Sequence, residues 1–313
     1  MNSITFWSEG TRLAGDLYFP ADRKPGEKHP AVVLCHGWGG TKAHLATTIL
    51  PQRIADAGYV VLAFDYRGWG ESDGKVVVLD PLPKERTETT VRVQVIREVV
   101  DPFDEVWDIH HALDFIEGEP SVDPERSGLW GSSYGGGLVV WMAAHDERVR
   151  CVVSQVAPQD SRSLGLAPSG GSPREEMRRL AVQRARGEAE PIPQTVAGSP
   201  GLRGTPDTAK MRYFAPIEFA EQITVPVLLI DAEHEELFDR HQHSEALYNR
   251  MVAVRRCGRC ARPYRATPAA PVRYEVVPGI SHYGIYSEKV DESARLAIEW
   301  FGSYLRPARD ARA

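Results

Sequence analysis

The sequence predicts an α/β fold, in which a mostly parallel, twisted sheet carries helices on both faces. Short runs rich in β-branched residues alternate with segments of helical periodicity, and this alternation is typical of parallel sheets. Several runs, such as residues 31–35 and 225–230, are apolar throughout, as expected for strands that are buried on both faces.

The strands are predicted from these runs and from the turns between them. They cover residues 3–7, 12–19, 31–35, 59–64, 127–130, 151–156, 225–230 and 272–277. The first two are separated by a short polar turn and are expected to form a hairpin at a sheet edge. Residues 71–101 are less regular, and we expect a loop there with a strand-like or helical piece.

The helices are predicted from apolar spacing and from stop signals. They cover about residues 44–57, 102–117, 134–144 and 240–253, and a last helix repeats apolar side chains at Val290, Ala294, Ala297, Phe301 and Tyr304. In the first helix, Pro51 is tolerated if it starts a turn, and Gly58 is expected to end the helix. Residues 306–313 are expected to fray.

The β-α alternation breaks over residues 159–215, which hold several Pro and Gly residues and one polar helical stretch, residues 174–186. This segment is too long for an ordinary connection and too polar for a core. We therefore predict a helical cap at 159–215, inserted into a core formed by residues 1–158 and 216–313.

Composition excludes several classes of function. The 313 residues carry a net charge of -6, so neither nucleic acid nor an anionic membrane is an obvious partner. We find no apolar run of about 18 residues and no signal peptide, and four cysteines do not suggest a disulfide framework. We expect a cytoplasmic protein; its oligomeric state stays open, a homodimer included.

Residues 131–135 match the pattern G-x-S-x-G, with Ser133 in the middle. A serine alcohol is a poor nucleophile unless it is exposed on a sharp turn where a base can take its proton. The flanking glycines leave room for such a turn. A Gly/Ser loop without catalytic function is the alternative reading of the pattern by itself.

The other candidate catalytic side chains also follow predicted strands, at the sheet edge where functional groups gather. His282 comes just after the last strand and is the candidate general base. Glu235 follows the strand 225–230 and is the favoured acid to orient His282. Asp231, Asp239 and Asp160 remain alternatives for that acid.

An oxyanion hole requires two backbone N–H groups. We expect these from Tyr134, directly after the nucleophile, and from Trp38, in the Gly-rich loop after the strand 31–35. A tight turn without catalytic function is the alternative for that loop. The candidates to line a substrate pocket are His36, Tyr66, Trp69 and Tyr283, and core packing is equally compatible with the aromatic residues among them.

Several of these pieces together resemble an α/β-hydrolase, over about residues 11–305: the segments 13–20 and 65–72, the loop after His36, the serine turn and the His282 loop. The chain is most similar to dienelactone hydrolase-like and X-prolyl-peptidase-like esterases, and to hydrolases and acyltransferases that tailor polyketides. The resemblance implies an eight-stranded sheet, a Ser–acid–His triad and no cofactor. The chain departs from this pattern in two ways. The favoured acid is a glutamate rather than the commoner aspartate. The nucleophile is a serine rather than a cysteine, which argues against a strict dienelactone hydrolase.

The segment around Cys257 and Cys260 places C-x-x-C among five arginines. A zinc site needs about four ligands, and we find no second pair within reach along the sequence, so we predict no metal site. A solvated insertion is favoured, with metal, disulfide or anion contact as alternatives. Cys35 and Cys151 lie in strands and are expected to be buried.

Three hypotheses for function follow. The first is a serine hydrolase that cleaves a small-molecule ester, lactone or thioester through an acyl-enzyme on Ser133. The second is an acyltransferase, cyclase or eliminase that uses the same triad, with the cap excluding water. The third is a ligand-binding module that keeps the fold without catalysis.

Overall fold

The computed structural model describes residues 1–164, 173–194, 202–257 and 270–305. Its strands are β1 (Asn2–Ser8), β2 (Thr11–Tyr18), β3 (His29–Cys35), β4 (Val60–Phe64), β5 (Lys75–Val78), β6 (Val93–Ile96), β7 (Val99–Val100), β8 (Val122–Ser132), β9 (Val149–Gln155), β10 (Thr205–Pro206), β11 (Val227–His234) and β12 (Val272–Ser281). Its α-helices are α1 (Lys42–Thr47), α2 (Leu50–Asp56), α3 (Pro102–Glu117), α4 (Tyr134–His145), α5 (Pro173–Ala185), α6 (Thr208–Met211), α7 (Ser244–Cys257) and α8 (Val290–Tyr304). Turns of 3₁₀-helix cover Ser161–Ser163, Pro216–Phe219 and His282–Tyr286.

Within these residues, one large sheet has eight strands in the order β1-β2-β4-β3-β8-β9-β11-β12. The first two strands pair antiparallel at one edge, and β2 pairs antiparallel with β4. All pairings from β4 to β12 are parallel. The predicted α/β fold with a mostly parallel sheet is confirmed.

Two apolar cores cover the two faces of this sheet. On one face, α3 and α4 pack through side chains such as Ile109 and Leu138. On the other, α2 and α8 contribute Ile54 and Phe301. Strands β3 and β4 are buried at every position, which explains why their sequences show no polar alternation.

The single helix predicted for residues 44–57 is wrong, because the chain forms two short helices there. Between α1 and α2, Ile49 adopts a left-handed conformation with φ of 60°. Pro51 lies in the first turn of α2, where its missing N–H costs nothing, whereas within one continuous helix its ring would clash with the preceding turn. Gly58 follows α2 with φ of 98°, as a helix stop requires.

The irregular segment 71–101 contains a small hairpin. Strands β5 and β6 pair antiparallel, with Val76 opposite Val95 and Val78 opposite Val93. Arg97 ties the end of the hairpin to the carbonyl oxygens of Gly70 and Ser72. The segment is thus held against the loop that follows β4.

The described part of the segment 159–215 contains a 3₁₀ turn, α5, β10 and α6. Strand β10 pairs with β7, and Arg184 of α5 forms a 2.9 Å ion pair with Asp207. The observed α5 agrees with the predicted polar helix at 174–186. The division of the chain into core and cap stays a prediction.

Cys35 and Cys151 are fully buried, as predicted. Cys257 is the last residue of α7, and the rest of the arginine-rich C-x-x-C segment lies outside the described residues, as do residues 306–313. Among the described helices, none has both the length and the apolar character needed to cross a bilayer.

Candidate active site

Ser133 lies on the sharp turn between β8 and α4. Its backbone has φ of 54° and ψ of -128°, a conformation that costs roughly 1–3 kcal/mol for a residue with a side chain. The Ser133 N–H donates to the carbonyl of Gln155 on the neighbouring strand at 2.8 Å. A Cβ on Gly131 would lie 2.2 Å from the carbonyl oxygen of Gly135, so this turn excludes a larger residue there. Ser133 is half-buried on this turn.

His282 begins the 3₁₀ turn that follows β12, at the same edge of the sheet as Ser133. Its Nε2 lies 3.1 Å from the Ser133 Oγ. The imidazole side chain is 2 % exposed, so bulk water has little access to it. This geometry suits an imidazole that takes a proton from the serine.

Glu235 lies on the other side of the imidazole. Its two carboxylate oxygens are 2.8 and 2.9 Å from Nδ1 of His282, and its side chain is 1 % exposed. A carboxylate there fixes Nδ1 as the protonated nitrogen, which leaves Nε2 free to accept from the serine.

The three alternative acids lie elsewhere. Asp160 pairs with Arg162, and Asp239 accepts from Gln242 and the His241 N–H. Asp231 accepts hydrogen bonds from Ser244 and Tyr274, and burial raises its pKa to about 7. Of the four candidates, the structure brings only Glu235 to the His282 ring.

Two further glutamates hold the loop that carries His282, and the sequence analysis did not select them. Glu233 accepts from the Gly279 N–H at 2.8 Å, and Glu236 accepts from the His282 N–H at 2.7 Å. Three carboxylates at the end of β11 and directly after it thus bind residues 279–282, two through backbone N–H groups and one through the His282 side chain. The crowding of acids after that strand was the available signal.

The segments that carry the two expected oxyanion donors adjoin Ser133. Tyr134 is the first residue of α4, so its N–H has no partner within the helix. On the other side, a Cβ on Gly37 would lie 2.8 Å from the Ser133 Cβ, which places the loop leading into Trp38 directly against the nucleophile. The indole of Trp38 donates to the carbonyl of Arg203 at 3.0 Å and packs edge-on against the Tyr134 ring.

The predicted pocket residues differ in their placement. Tyr66 and Trp69 are buried, and the Trp69 indole donates to the Val99 carbonyl. His36 is also buried, which lowers its pKa to about 4, and its ring packs against Tyr66 at 4.4 Å. Tyr283 is 52 % exposed and contacts the His282 ring. A role in holding substrate stays a prediction for all four.

A second group of polar side chains adjoins the nucleophile, and the sequence analysis missed it. The Ser132 Oγ lies 2.7 Å from the hydroxyl of Tyr286 and accepts from Nε2 of Gln155 at 3.1 Å. The one local signal was position, since Ser132 precedes Ser133 and Tyr286 ends the turn begun by His282. Among the described residues, no group of three or more His, Cys, Asp or Glu side chains is arranged to hold a metal ion.

Comparison with known proteins assigns the family. Residues 9–198 match the family model of the X-Pro dipeptidyl-peptidases, family S15. The chain belongs to this family. The predicted α/β-hydrolase of an esterase-like, X-prolyl-peptidase-like branch is confirmed.

Individual relatives match part of the chain. An uncharacterized 31.7 kDa protein of Escherichia coli is 37% identical over 137 residues, which cover 44% of this chain and 40% of the relative. The thiohydrolase aneE of Aspergillus aculeatus is 32% identical, over 47% of this chain and 38% of its own length. The chain therefore spans less than half the length of these relatives.

Solved structures extend the likeness over the fold. The α/β hydrolase GrgF of a Penicillium species has a TM-score of 0.69 at 16% sequence identity, covering 97% of this chain and 98% of GrgF. At that identity the likeness supports the fold alone.

Proposed function

We propose that this chain is a serine hydrolase that cleaves a carboxylic ester, lactone or thioester through an acyl-enzyme on Ser133. One observation carries the proposal: the Ser133 hydroxyl, the His282 imidazole and the Glu235 carboxylate form a continuous line, with contacts of 3.1 and 2.8 Å. Nucleophile, base and orienting acid in that order are what acyl transfer to serine requires.

In the acylation step, the Ser133 Oγ bonds to the carbonyl carbon of the substrate and its proton passes to Nε2 of His282. Glu235 stabilises the resulting imidazolium, and the N–H groups of Trp38 and Tyr134 stabilise the oxyanion. His282 then returns the proton to the departing alcohol or thiol. Water, deprotonated by His282, attacks the acyl-enzyme, and the acid leaves as Ser133 recovers its proton.

The comparisons support this chemistry at the level of class. The family consists of hydrolases, and one partial relative carries the name thiohydrolase. A thioester is therefore one of the substrates to test, beside oxygen esters and lactones.

The first test is the Ser133→Ala variant. Without the nucleophile, hydrolysis of p-nitrophenyl acetate should fall by about 10⁴-fold or more. A fluorophosphonate should label the wild-type chain at Ser133 and leave the variant unlabelled. Ser303→Ala, on the exposed side of α8, is the matched control and should keep wild-type rates.

The proposal fails if Ser133→Ala, folded to the same melting temperature as wild type, still cleaves the ester at a comparable rate. An unlabelled wild-type chain that is well folded would instead favour a ligand-binding module without catalysis.

The family match favours a second candidate, the cleavage of X-Pro dipeptides from peptides. The same triad would attack an amide carbonyl, and the leaving group would be an amine. Parallel assays of an X-Pro p-nitroanilide and a p-nitrophenyl ester decide between the two by their kcat/KM ratio. Product analysis with added alcohols, amines or thiols separates hydrolysis from acyl transfer.

A further inference from the structure

Behind the nucleophile, hydroxyl groups connect the serine turn to the turn that carries His282. Gln155 donates from Nε2 to the Ser132 Oγ at 3.1 Å, and the Ser132 Oγ lies 2.7 Å from the Tyr286 hydroxyl. The Ser133 Oγ lies 3.1 Å from Nε2 of His282.

The Gln155 amide sets the direction of the hydrogen bond between Ser132 and Tyr286. It donates from Nε2, so the Ser132 oxygen accepts there and the Ser132 hydrogen is available for Tyr286. The Tyr286 oxygen then accepts from Ser132. Hydrogen bonds aligned in one direction polarise and strengthen one another.

We propose that Ser132 and Tyr286 are positioning residues for the pair of Ser133 and His282: the Ser132–Tyr286 hydrogen bond fixes the turn that carries His282 against the turn that carries Ser133. This inference rests on the proposed function of Ser133. It assigns a role to two side chains outside the triad and the oxyanion hole.

The fold explains why such a link is needed. Ser133 follows β8 and His282 follows β12, and these two strands are separated in the sheet by β9 and β11. Tyr286 is the last residue of the 3₁₀ turn that begins with His282, so fixing its hydroxyl also fixes the imidazole. Displacement of a reacting group by about 1 Å costs roughly a hundredfold in rate, which makes a rigid connection valuable.

The surroundings of Tyr286 keep its hydroxyl neutral. Desolvation raises the pKa of Tyr286 well above its usual value, so the phenol keeps its proton at neutral pH. The ring also packs near the imidazole, with centroids 6.1 Å apart.

The test compares Tyr286→Phe, Ser132→Ala and the double variant with wild type. The first readout is the second-order rate constant for labelling by a fluorophosphonate, in which Oγ bonds to phosphorus, fluoride leaves and the serine proton passes to His282. The second readout is kcat and KM for p-nitrophenyl acetate. Tyr304→Phe and Ser303→Ala on α8 are matched controls, and thermal melting checks the fold of every variant.

Each single variant should lower the labelling rate and kcat by about tenfold, with KM within about twofold of wild type, because only the position of the imidazole relative to the nucleophile changes. The labelling rate and kcat of the double variant should lie within about threefold of those of the slower single variant, since both changes break the same hydrogen bond. The controls should match wild type.

Unchanged labelling in a folded Tyr286→Phe variant overturns the inference, and so do losses that multiply in the double variant. The inference would also be contradicted if the control variants lost as much labelling rate and as much melting temperature as Tyr286→Phe and Ser132→Ala. Failure of the proposed function looks different: the wild-type chain itself would resist labelling, or Ser133→Ala would still react.

Discussion

Among single residues, Glu235 differs from its acidic neighbours by what it contacts rather than by its charge. It is the carboxylate that reaches Nδ1 of His282, whereas Glu233 and Glu236 bind backbone N–H groups of the same loop. One short acidic stretch therefore performs two tasks. It orients the imidazole, and it binds the backbone of the segment that carries His282.

Glu235→Gln keeps the size of the side chain and removes its charge. The amide can no longer stabilise an imidazolium at His282, and it favours the wrong tautomer by offering an N–H to Nδ1. We expect kcat to fall by about 10³- to 10⁴-fold, measured by ester hydrolysis under saturating substrate.

Asp160→Asn is the control, because Asp160 was an alternative acid and the structure pairs it with Arg162. Its kcat should stay within about threefold of wild type. A large loss in Asp160→Asn together with a small one in Glu235→Gln would reverse the assignment.

At the scale of elements, the junction of α1 and α2 stores strain. Ile49 has φ of 60°, a conformation that β-branched residues strongly disfavour, and its side chain is 55 % exposed. Left-handed backbone costs about 1–2 kcal/mol for a residue with a Cβ, and glycine removes that cost.

Ile49→Gly should therefore leave the free energy of unfolding unchanged or raise it by about 1 kcal/mol, despite the greater freedom of glycine in the unfolded chain. Val182→Gly is the matched control, at an exposed position inside α5, and should lower it by about 1 kcal/mol. Urea unfolding measures both. A loss at Ile49→Gly equal to that at Val182→Gly would show that the junction is unstrained.

For the whole molecule, the parallel order of strands assembles the site. Strands β8, β11 and β12 end at the same edge of the sheet, so the loops after them meet although Ser133 and His282 are 149 residues apart in the chain. Asp231, within β11, also connects these elements, because its carboxyl group accepts hydrogen bonds from Ser244 of α7 and from Tyr274 of β12.

Burial of Asp231 makes global stability depend on pH. In the folded chain its pKa is raised to about 7, whereas in the unfolded chain it loses its proton near its ordinary value of about 4. Between these values the folded state binds more protons, so the contribution of Asp231 to the free energy of unfolding falls as pH rises from about 4 to 7 and is constant above.

Asp231→Asn should remove that dependence. From pH 4 to pH 7, the free energy of unfolding of wild type should fall by up to about 4 kcal/mol relative to that of the variant. Urea unfolding at successive pH values measures both. Asp239→Asn, at an exposed aspartate, is the control and should give a curve parallel to wild type from pH 4 to 7. A parallel curve for Asp231→Asn would contradict the prediction.

The sequence by itself determined the eight strands of the large sheet, most of the longer helices and two members of the candidate triad. Runs such as residues 31–35 are apolar on both faces, and the spacing of Val106, Ile109 and Leu113 repeats with the helical period, so both element types were readable locally. Ser133 and His282 were found in the same way, because each follows a strand in a recognisable loop. The family confirms the fold that these patterns predicted.

Only the tertiary structure decided which carboxylate meets His282 and which hydroxyl meets Ser132. Asp231 lies within β11 and Glu235 directly after it. Which of the two reaches His282 depends on strand register and on side-chain direction, which local sequence does not encode. Tyr286 meets Ser132 across 154 positions of the chain. Such contacts arise because the parallel sheet brings distant strand ends together, and periodicity along the chain carries no information about that distance.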